Sequence, residues 1–356
     1  MAKITKIGFV QSCKKKLINK SVRNKRYSVK NILLTGGAGY LGLNIALALI
    51  EKNNNVVIVD DLKNSYAKHI NNLLKIFPNN SKFYKGNVCD YDFLKNIFKS
   101  HNIDIVLHLA AHKYVGESIK KPKIYFENNI NSLETVLKLS NEFGVSRFAF
   151  SSSSVVYGNT TISASENLEI SPLSPYAETK CIGEKMIREW NNKTNIPITI
   201  FRFSNPVGAN TEYMFGDHSK RGFENLVPYV ARCAISDSSM IFRGDDHPTP
   251  DGTPIRDFIH VSDLSNIVST ILLNSEAKLE VLNVASGNGY SVLEIIKETE
   301  KLLGKKLTYS FSKKLPGEAS VSLLNTTKLK QIYNLSPTQT LSDIIKSEIE
   351  FLKTKN

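Results

Sequence analysis

From residue 31 onward, short unbroken apolar runs alternate with longer segments whose apolar residues recur at helical spacing. NILLT (31–35), NVVIVD (55–60), FYKGNV (83–88), DIVLHLA (104–110), RFAFSS (147–152) and ITIFRFS (198–204) read as strands. Between them YLGLNIALALIEK (40–52), DYDFLKNIFKSH (90–101), SLETVLKLSNEFG (132–144) and YAETKCIGEKMIREW (176–190) read as helices, the third stopping at Gly144. Strands that are apolar throughout bury both faces. The alternation therefore predicts a doubly wound parallel sheet of the Rossmann type, with ligands bound at the carboxyl ends of its strands. Beyond about residue 206 the rhythm breaks into Asp-, Gly- and Pro-rich loops such as RGDDHPTPDGTPIRD (243–257), while EVLNVAS (280–286) reads as a return to the main sheet. The expected organisation is a disordered basic extension over 1–29, a Rossmann domain over 30–206 plus about 256–286, and a smaller α/β substrate lobe from about 207–255 and 287–356.

Composition changes this picture little. With 41% hydrophobic and 22% charged residues the chain is ordinary for a globular protein, and no apolar run approaches the roughly 18 residues of a membrane span. The formal net charge of +13 would suggest nucleic acid, but ten Lys/Arg and no acid fall in the first thirty residues. That leaves +3 on the other 326, so neither nucleic acid nor membrane is an expected partner. The basic segment lacks the apolar centre of a secretory signal; it reads as a solvated extension, with an organelle address as the alternative. Four scattered cysteines without disulfide-like or C-x-x-C spacing imply a reducing, cytoplasmic setting. His108 and His112 are four apart, but on a strand running into a loop that spacing does not aim both rings at one metal.

The first candidate chemistry follows the first strand. LLTGGAGYLGLNIA puts Gly36, Gly39 and Gly42 at G-x-x-G-x-x-G spacing between strand and helix. A pyrophosphate needs that arrangement: a tight turn, backbone without Cβ, and a helix N-terminus facing the negative charge. Asp60 ends the next strand, 18 residues beyond Gly42, where a carboxylate holds a ribose hydroxyl pair and repels a 2′-phosphate. The predicted cofactor is NAD rather than NADP.

A second candidate is SPYAETK, where Tyr176 and Lys180 stand four apart. Spacing alone does not single them out, since Tyr91/Lys95 and Tyr309/Lys313 repeat it. Context does: Tyr176 opens the helix after FSSSSVVYG, whose Ser151 to Ser154 lie at the carboxyl edge of the sheet, the edge the cofactor reaches. A tyrosine acting as a base near pH 7 needs its pKa lowered by about three units, roughly 4 kcal/mol. A neighbouring ammonium and a cationic nicotinamide both favour the phenolate.

TGGAGYLG, the serine run and YAETK together resemble the extended short-chain dehydrogenases/reductases. KYVGESIKKPKIYFENNINS, RFSNPVGAN and PTPDGTPIRDFIHVSDL are similar to segments of UDP-glucose 4-epimerases, a likeness covering about residues 31–345. The resemblance implies NAD bound throughout turnover, with a tyrosine base accepting the sugar 4-hydroxyl proton as the C4 hydride leaves. The 4-keto intermediate then flips and the hydride returns to its other face. Tyr176 would be that base, Lys180 its electrostatic partner, and Ser153 the hydroxyl on the 4-oxygen. Cofactor contacts would come from Gly36, Gly39, Tyr40, Leu41, Gly42, Asp60, Asp61, Asn64, Asn87, Val88, Lys113, Asn128, Tyr176 and Lys180. UDP-sugar contacts would come from Ser153, Tyr176, Asn205, Asn225, Leu226, Phe242, Arg256 and Ser322. The family's dimers pair the helices at about 118–142 and 176–190, so a homodimer is expected.

Three motifs depart from the family pattern. Gly86-Asn87 stands for Gly-Asp at the adenine amine. Leu315 and Glu318 replace the arginine and aspartate of the diphosphate grip, with Lys314 a candidate substitute. Ser322 stands where a large tyrosine excludes N-acetylated sugars, so UDP-GlcNAc and UDP-GalNAc join UDP-glucose and UDP-galactose as expected substrates. Without the family likeness, Arg256 and Asp257 read equally as an ion pair, and Asn205 and Asn225 as turn caps. A 4,6-dehydratase would need an acidic pair after Ser153, where Ser154 and Val155 stand. A UDP-glucuronate 4-epimerase and a non-catalytic NAD-sensing protein remain the alternative readings.

Overall fold

The computed structural model describes residues 28–160, 162–217, 220, 225–314 and 319–354. Residues 1–27 of the basic extension, and Leu315 and Glu318, lie outside the described residues. Six strands come in succession: β1 (Asn31–Thr35), β2 (Asn55–Asp60), β3 (Ser81–Lys85), β4 (Ile105–His108), β5 (Arg147–Ser153) and β6 (Ile198–Phe203). They are followed by the short β7 (Asn205–Val207), β8 (Met240–Arg243), β9 (Ile255–His260) and β10 (Leu279–Val284). β1 to β6 and β10 build one seven-stranded, wholly parallel sheet in the order β10-β6-β5-β4-β1-β2-β3.

Strand periodicity sends alternate residues to opposite faces. Ile32 and Leu34 of β1 pack with Leu43 and Leu47 of helix Tyr40–Glu51 and with Ile267 and Ile271 of helix Val261–Asn274. Leu33 between them packs toward Leu94 and Phe98 of helix Tyr91–His101 and Leu133 and Val136 of helix Pro122–Glu142. Each such fully buried aliphatic side chain contributes about 1.5–3 kcal/mol, and helices on both faces make the sheet doubly wound. EVLNVAS does return to this sheet as β10, at its edge beside β6. Two expected elements are displaced. The edge strand β3 begins at Ser81 rather than Phe83, and the helix expected from Ser132 begins at Pro122, whose fixed φ suits the first helical turn.

Apart from helix Val261–Asn274 and β10, the chain after β6 builds a second lobe around β9. β7 runs parallel to its Phe258–His260 end, while β11 (Gly289–Ser291, antiparallel) and β13 (Val321–Ser322, parallel) pair with its other end. β8 pairs in parallel with β12 (Tyr309–Ser312). Val230, Phe242, Phe258, Ile295, Ile345 and Phe351 form a separate core there. No helix among the described residues is long and apolar enough to cross a membrane.

Candidate active site

A cleft of about 540 Å³ runs along the carboxyl ends of the central strands, where the order turns back between β1 and β4. Its cofactor end is shaped by what glycine leaves out. Gly36 has φ +68°, and a Cβ there would lie 2.8 Å from the Cα of Ala110. At Gly42 a Cβ would lie 2.5 Å from the Cα of Gly37, so the helix packs against the turn only without a side chain. Gly39 lines the cleft and heads helix Tyr40–Glu51 with no side-chain cap, leaving the first-turn N–H groups to an anion. Leu41 and Tyr40 line the same wall, and the Tyr40 hydroxyl donates to Gly208 O at 2.6 Å, tying the turn to the second lobe.

Asp60 is buried at the end of β2, accepting from the Ala38 and Leu62 N–H groups at 3.2 and 2.8 Å. Burial pushes its carboxyl up to about 6 despite those two donors. Asp61 beside it pairs with Lys63 at 3.1 Å, and Asn64 donates to the Tyr114 hydroxyl at 3.1 Å. Asn87 and Val88 line the far end; the Asn87 side-chain oxygen accepts from Cys89 N–H, which leaves one lone pair for an adenine amine. Lys113 and Asn128 line the wall after β4, Asn128 donating to Asn129. A bare-backbone turn, an uncapped helix N-terminus and a buried carboxylate one strand away fit a dinucleotide.

At the other end of the cleft, Ser174 accepts from Ala177 N–H at 3.2 Å and Pro175 fills the first turn, starting helix Pro175–Asn191 at the sheet edge. Tyr176 and Lys180 both face inward, 9% and 4% exposed. The Lys180 ammonium donates to Ser151 O at 2.7 Å and stands 4.8 Å from the Phe150 ring centroid. Burial pushes the Tyr176 phenol up to about 12, partly offset by its hydrogen bond to Ser153. Burial also pulls Lys180 down to about 7, against the raising influence of Glu184. The protein's own groups thus hold both near neutrality, and a proton or positive charge added nearby decides between phenol and phenolate. His108 is neutral, held to about 3 by burial, and hydrogen-bonds Thr35 at 2.7 Å.

The other two Tyr–Lys pairs are elsewhere: Tyr91 and Lys95 both turn to Glu142, and Tyr309 lies in the β8/β12 pair. Of the expected substrate contacts, Ser153, Tyr176, Asn205 and Asn225 line the cleft, and Leu226, Phe242, Arg256 and Ser322 do not. Asn205 donates to Asp257 O at 2.9 Å, and Asn225 to Asp217 at 3.2 Å. Phe242 is in the second-lobe core, its ring against Tyr229 and Phe311, because β8 alternates its faces and this residue takes the buried one. Arg256 lies opposite Ser322 in the β9/β13 register. Asp257 accepts from Ser286 and Gly287. Lys314 pairs with Asp246 at 3.2 Å on the surface.

Three residues escaped the sequence pattern. Asp217 lines the cleft beside Asn225 from an irregular loop. Glu184 and Arg202 form a buried two-pronged ion pair at 2.9 and 2.7 Å behind the serines. An arginine in the middle of the apolar run ITIFRFS was the available signal, since a buried guanidinium requires an acid.

Residues 32–285 match the model of the NAD dependent epimerase/dehydratase family. The chain is 37% identical to a UDP-glucose 4-epimerase of Yersinia enterocolitica over 81% of this chain and 87% of that protein. It is 33% identical to one of Bacillus subtilis, over 84% and 90%. The fold superposes on the crystal structure of a UDP-glucose 4-epimerase from Bifidobacterium longum in complex with NAD+ and UDP with a TM-score of 0.87, at 32% identity, covering 92% of this chain and 99% of that one. With the glycine turn, Asp60 and the Tyr176–Lys180 pair in one cleft, the chain belongs to the NAD dependent epimerase/dehydratase family, in its UDP-glucose 4-epimerase group.

Proposed function

We propose that this protein interconverts a UDP-hexose and its C4 epimer with NAD retained through turnover. The observation that carries the reading is the convergence of Tyr176, Lys180 and Ser153 at the mouth of β5, in the same cleft as the glycine turn and Asp60. Bound NAD supplies the hydride acceptor and, once reduced, the hydride donor. Tyr176 takes the proton from the sugar 4-hydroxyl at its phenolic oxygen and gives it back after the sugar ring has turned. Lys180, held by Ser151 O, stabilises the phenolate form, and Ser153 donates to the 4-oxygen, keeping it within reach from either face. Gly36, Gly39 and Gly42 with Tyr40 and Leu41 would cradle the pyrophosphate, Asp60 and Asp61 with Asn64 the ribose, Asn87 and Val88 the adenine, and Lys113 and Asn128 the nicotinamide half. Asn205 and Asn225 would hold the UDP-sugar from the lobe side, with Leu226, Phe242, Arg256 and Ser322 contributing only as that lobe closes.

The serine at position 322, in place of a large ring, supports N-acetylhexosamine derivatives as further substrates. Exposed Ile119, Ile124 and Ile182 on three adjacent helices support a homodimer through that face. Free Cys89, Cys181 and Cys233 support a reducing, cytoplasmic setting, which cell fractionation checks. The deciding experiment is epimerisation of UDP-galactose and UDP-N-acetylgalactosamine by purified protein with no NAD added. Turnover of both is expected, from a particle of twice 39.8 kDa. No turnover of either, with or without NAD, sinks the function; a 39.8 kDa particle sinks the dimer.

Asp60 makes cofactor affinity pH-dependent. Ribose hydroxyls donate to the carboxylate, not to the acid, and the carboxyl titrates at about 6 in the protein. NAD affinity is therefore expected to be full above that pH and to fall about tenfold per unit once pH drops below it. Titration of NAD by calorimetry between pH 5 and 8 checks this, and the Asp60→Asn variant should bind weakly with a flat profile. A wild-type affinity unchanged across the range would exclude Asp60 from the ribose.

A further inference from the structure

Three successive serines at the end of β5 each face one member of a single helix face, and two of them are hydrogen-bonded to it. Tyr176, Lys180 and Glu184 recur every four residues on helix Pro175–Asn191, so their side chains stack along one side. Ser153 lines the cleft beside Tyr176, the Ser151 carbonyl accepts from Lys180 at 2.7 Å, and the Ser152 hydroxyl donates to Glu184 at 2.6 Å. The first two contacts belong to the proposed chemistry; the third lies behind it. Glu184 is not free to swing. Its side chain is 2% exposed, and Arg202 grips both carboxylate oxygens from β6, the strand paired with β5. Arg202 is itself fixed by the Tyr157 hydroxyl at 2.9 Å and the Glu166 carbonyl at 3.2 Å.

We infer that Glu184, clamped by Arg202, is a positioning residue: by holding Ser152 it sets the register of the helix on β5 and so the meeting point of Tyr176 and Ser153. The inference rests on the reading of Tyr176 and Ser153 given above. Two neighbouring strands are joined to one helix through a charge that cannot rotate, at the strand residue adjoining the reacting hydroxyl. A helix free to slide along β5 would move Tyr176 and Lys180 together relative to Ser153. A displacement of about 1 Å costs on the order of 10²-fold in rate while leaving binding groups largely in place.

Glu184→Ala is the direct variant, but it strands Arg202 and can fail to fold; Ser152→Ala removes the same contact and leaves the ion pair whole. In the holoenzyme Ser152→Ala is expected to lower kcat about tenfold, with KM within twofold and bound NAD unchanged. Retention of kcat within twofold overturns the inference. So does a parallel rise in KM with loss of NAD, which marks general loosening of the cleft rather than misplacement. Tyr176→Phe run alongside separates the two levels: turnover surviving there brings down the site itself, whereas an inactive Tyr176→Phe beside a fully active Ser152→Ala removes only the register role.

Discussion

Tyr176→Phe is expected to lower kcat by about three to four orders of magnitude while the cofactor stays bound. Positioned acid–base groups contribute typically 10²–10⁴-fold, and here one hydroxyl serves both proton removal and proton return, so the upper part of that range applies. The variant is clean. The Tyr176 ring lies edge-on to Tyr125 at 6.5 Å between centroids, and phenylalanine keeps that packing. Only the oxygen is lost, and Ser153 retains access to the substrate. Burial holds the wild-type phenol up to about 12, so its use as a base depends on Lys180 and on cationic nicotinamide. The measurement is steady-state epimerisation together with NAD released on denaturing the purified variant. Near-normal turnover would mean another group moves the proton. Loss of NAD along with turnover would instead make Tyr176 a binding residue.

The cofactor half of this site was legible in the sequence because its requirements are local. A tight turn needs glycines at fixed spacing, and a ribose acid must end the next strand, so Gly36, Gly39, Gly42 and Asp60 could be named from one stretch of chain. The Tyr176–Lys180 pair stands out in the sequence only through context, since Tyr91/Lys95 has the same spacing and is pinned on Glu142. β3 starts two residues ahead of its expected position because its half-exposed positions carry no continuous apolar signal. Past residue 206 the strands pairing with β9 are two or three residues long, too short for any period to register. Asp217 lies on an irregular loop and so carries no periodic signal, and Phe242, named from the family likeness alone, packs into the second-lobe core. Glu184 and Arg202 were hidden differently: each looks like an ordinary charge in its own segment, and only the pairing of β5 with β6 brings them together.

That buried pair carries the other large effect. Arg202→Met is expected to destabilise the fold by about 3–5 kcal/mol, because it leaves the Glu184 carboxylate buried without its partner. Methionine fills much of the stem volume, so lost packing is a minor part. The cost is electrostatic, and the Ser152 hydroxyl and the half-exposed Arg188 at 3.6 Å cannot replace a two-pronged guanidinium. Adding Glu184→Gln to Arg202→Met removes the stranded charge while keeping an oxygen for Ser152. The double variant is therefore expected to recover all but about 1 kcal/mol, since a buried ion pair offsets little more than its own desolvation. Urea unfolding of the wild type, both single variants and the double variant gives the coupling between the two positions directly. Additive losses would mean that the pair does not interact as the 2.7 Å and 2.9 Å contacts require. Recovery of stability together with kcat in the double variant would separate the two uses of one side chain: Arg202 neutralises Glu184 for the fold, and an oxygen at position 184 holds Ser152 for the reaction.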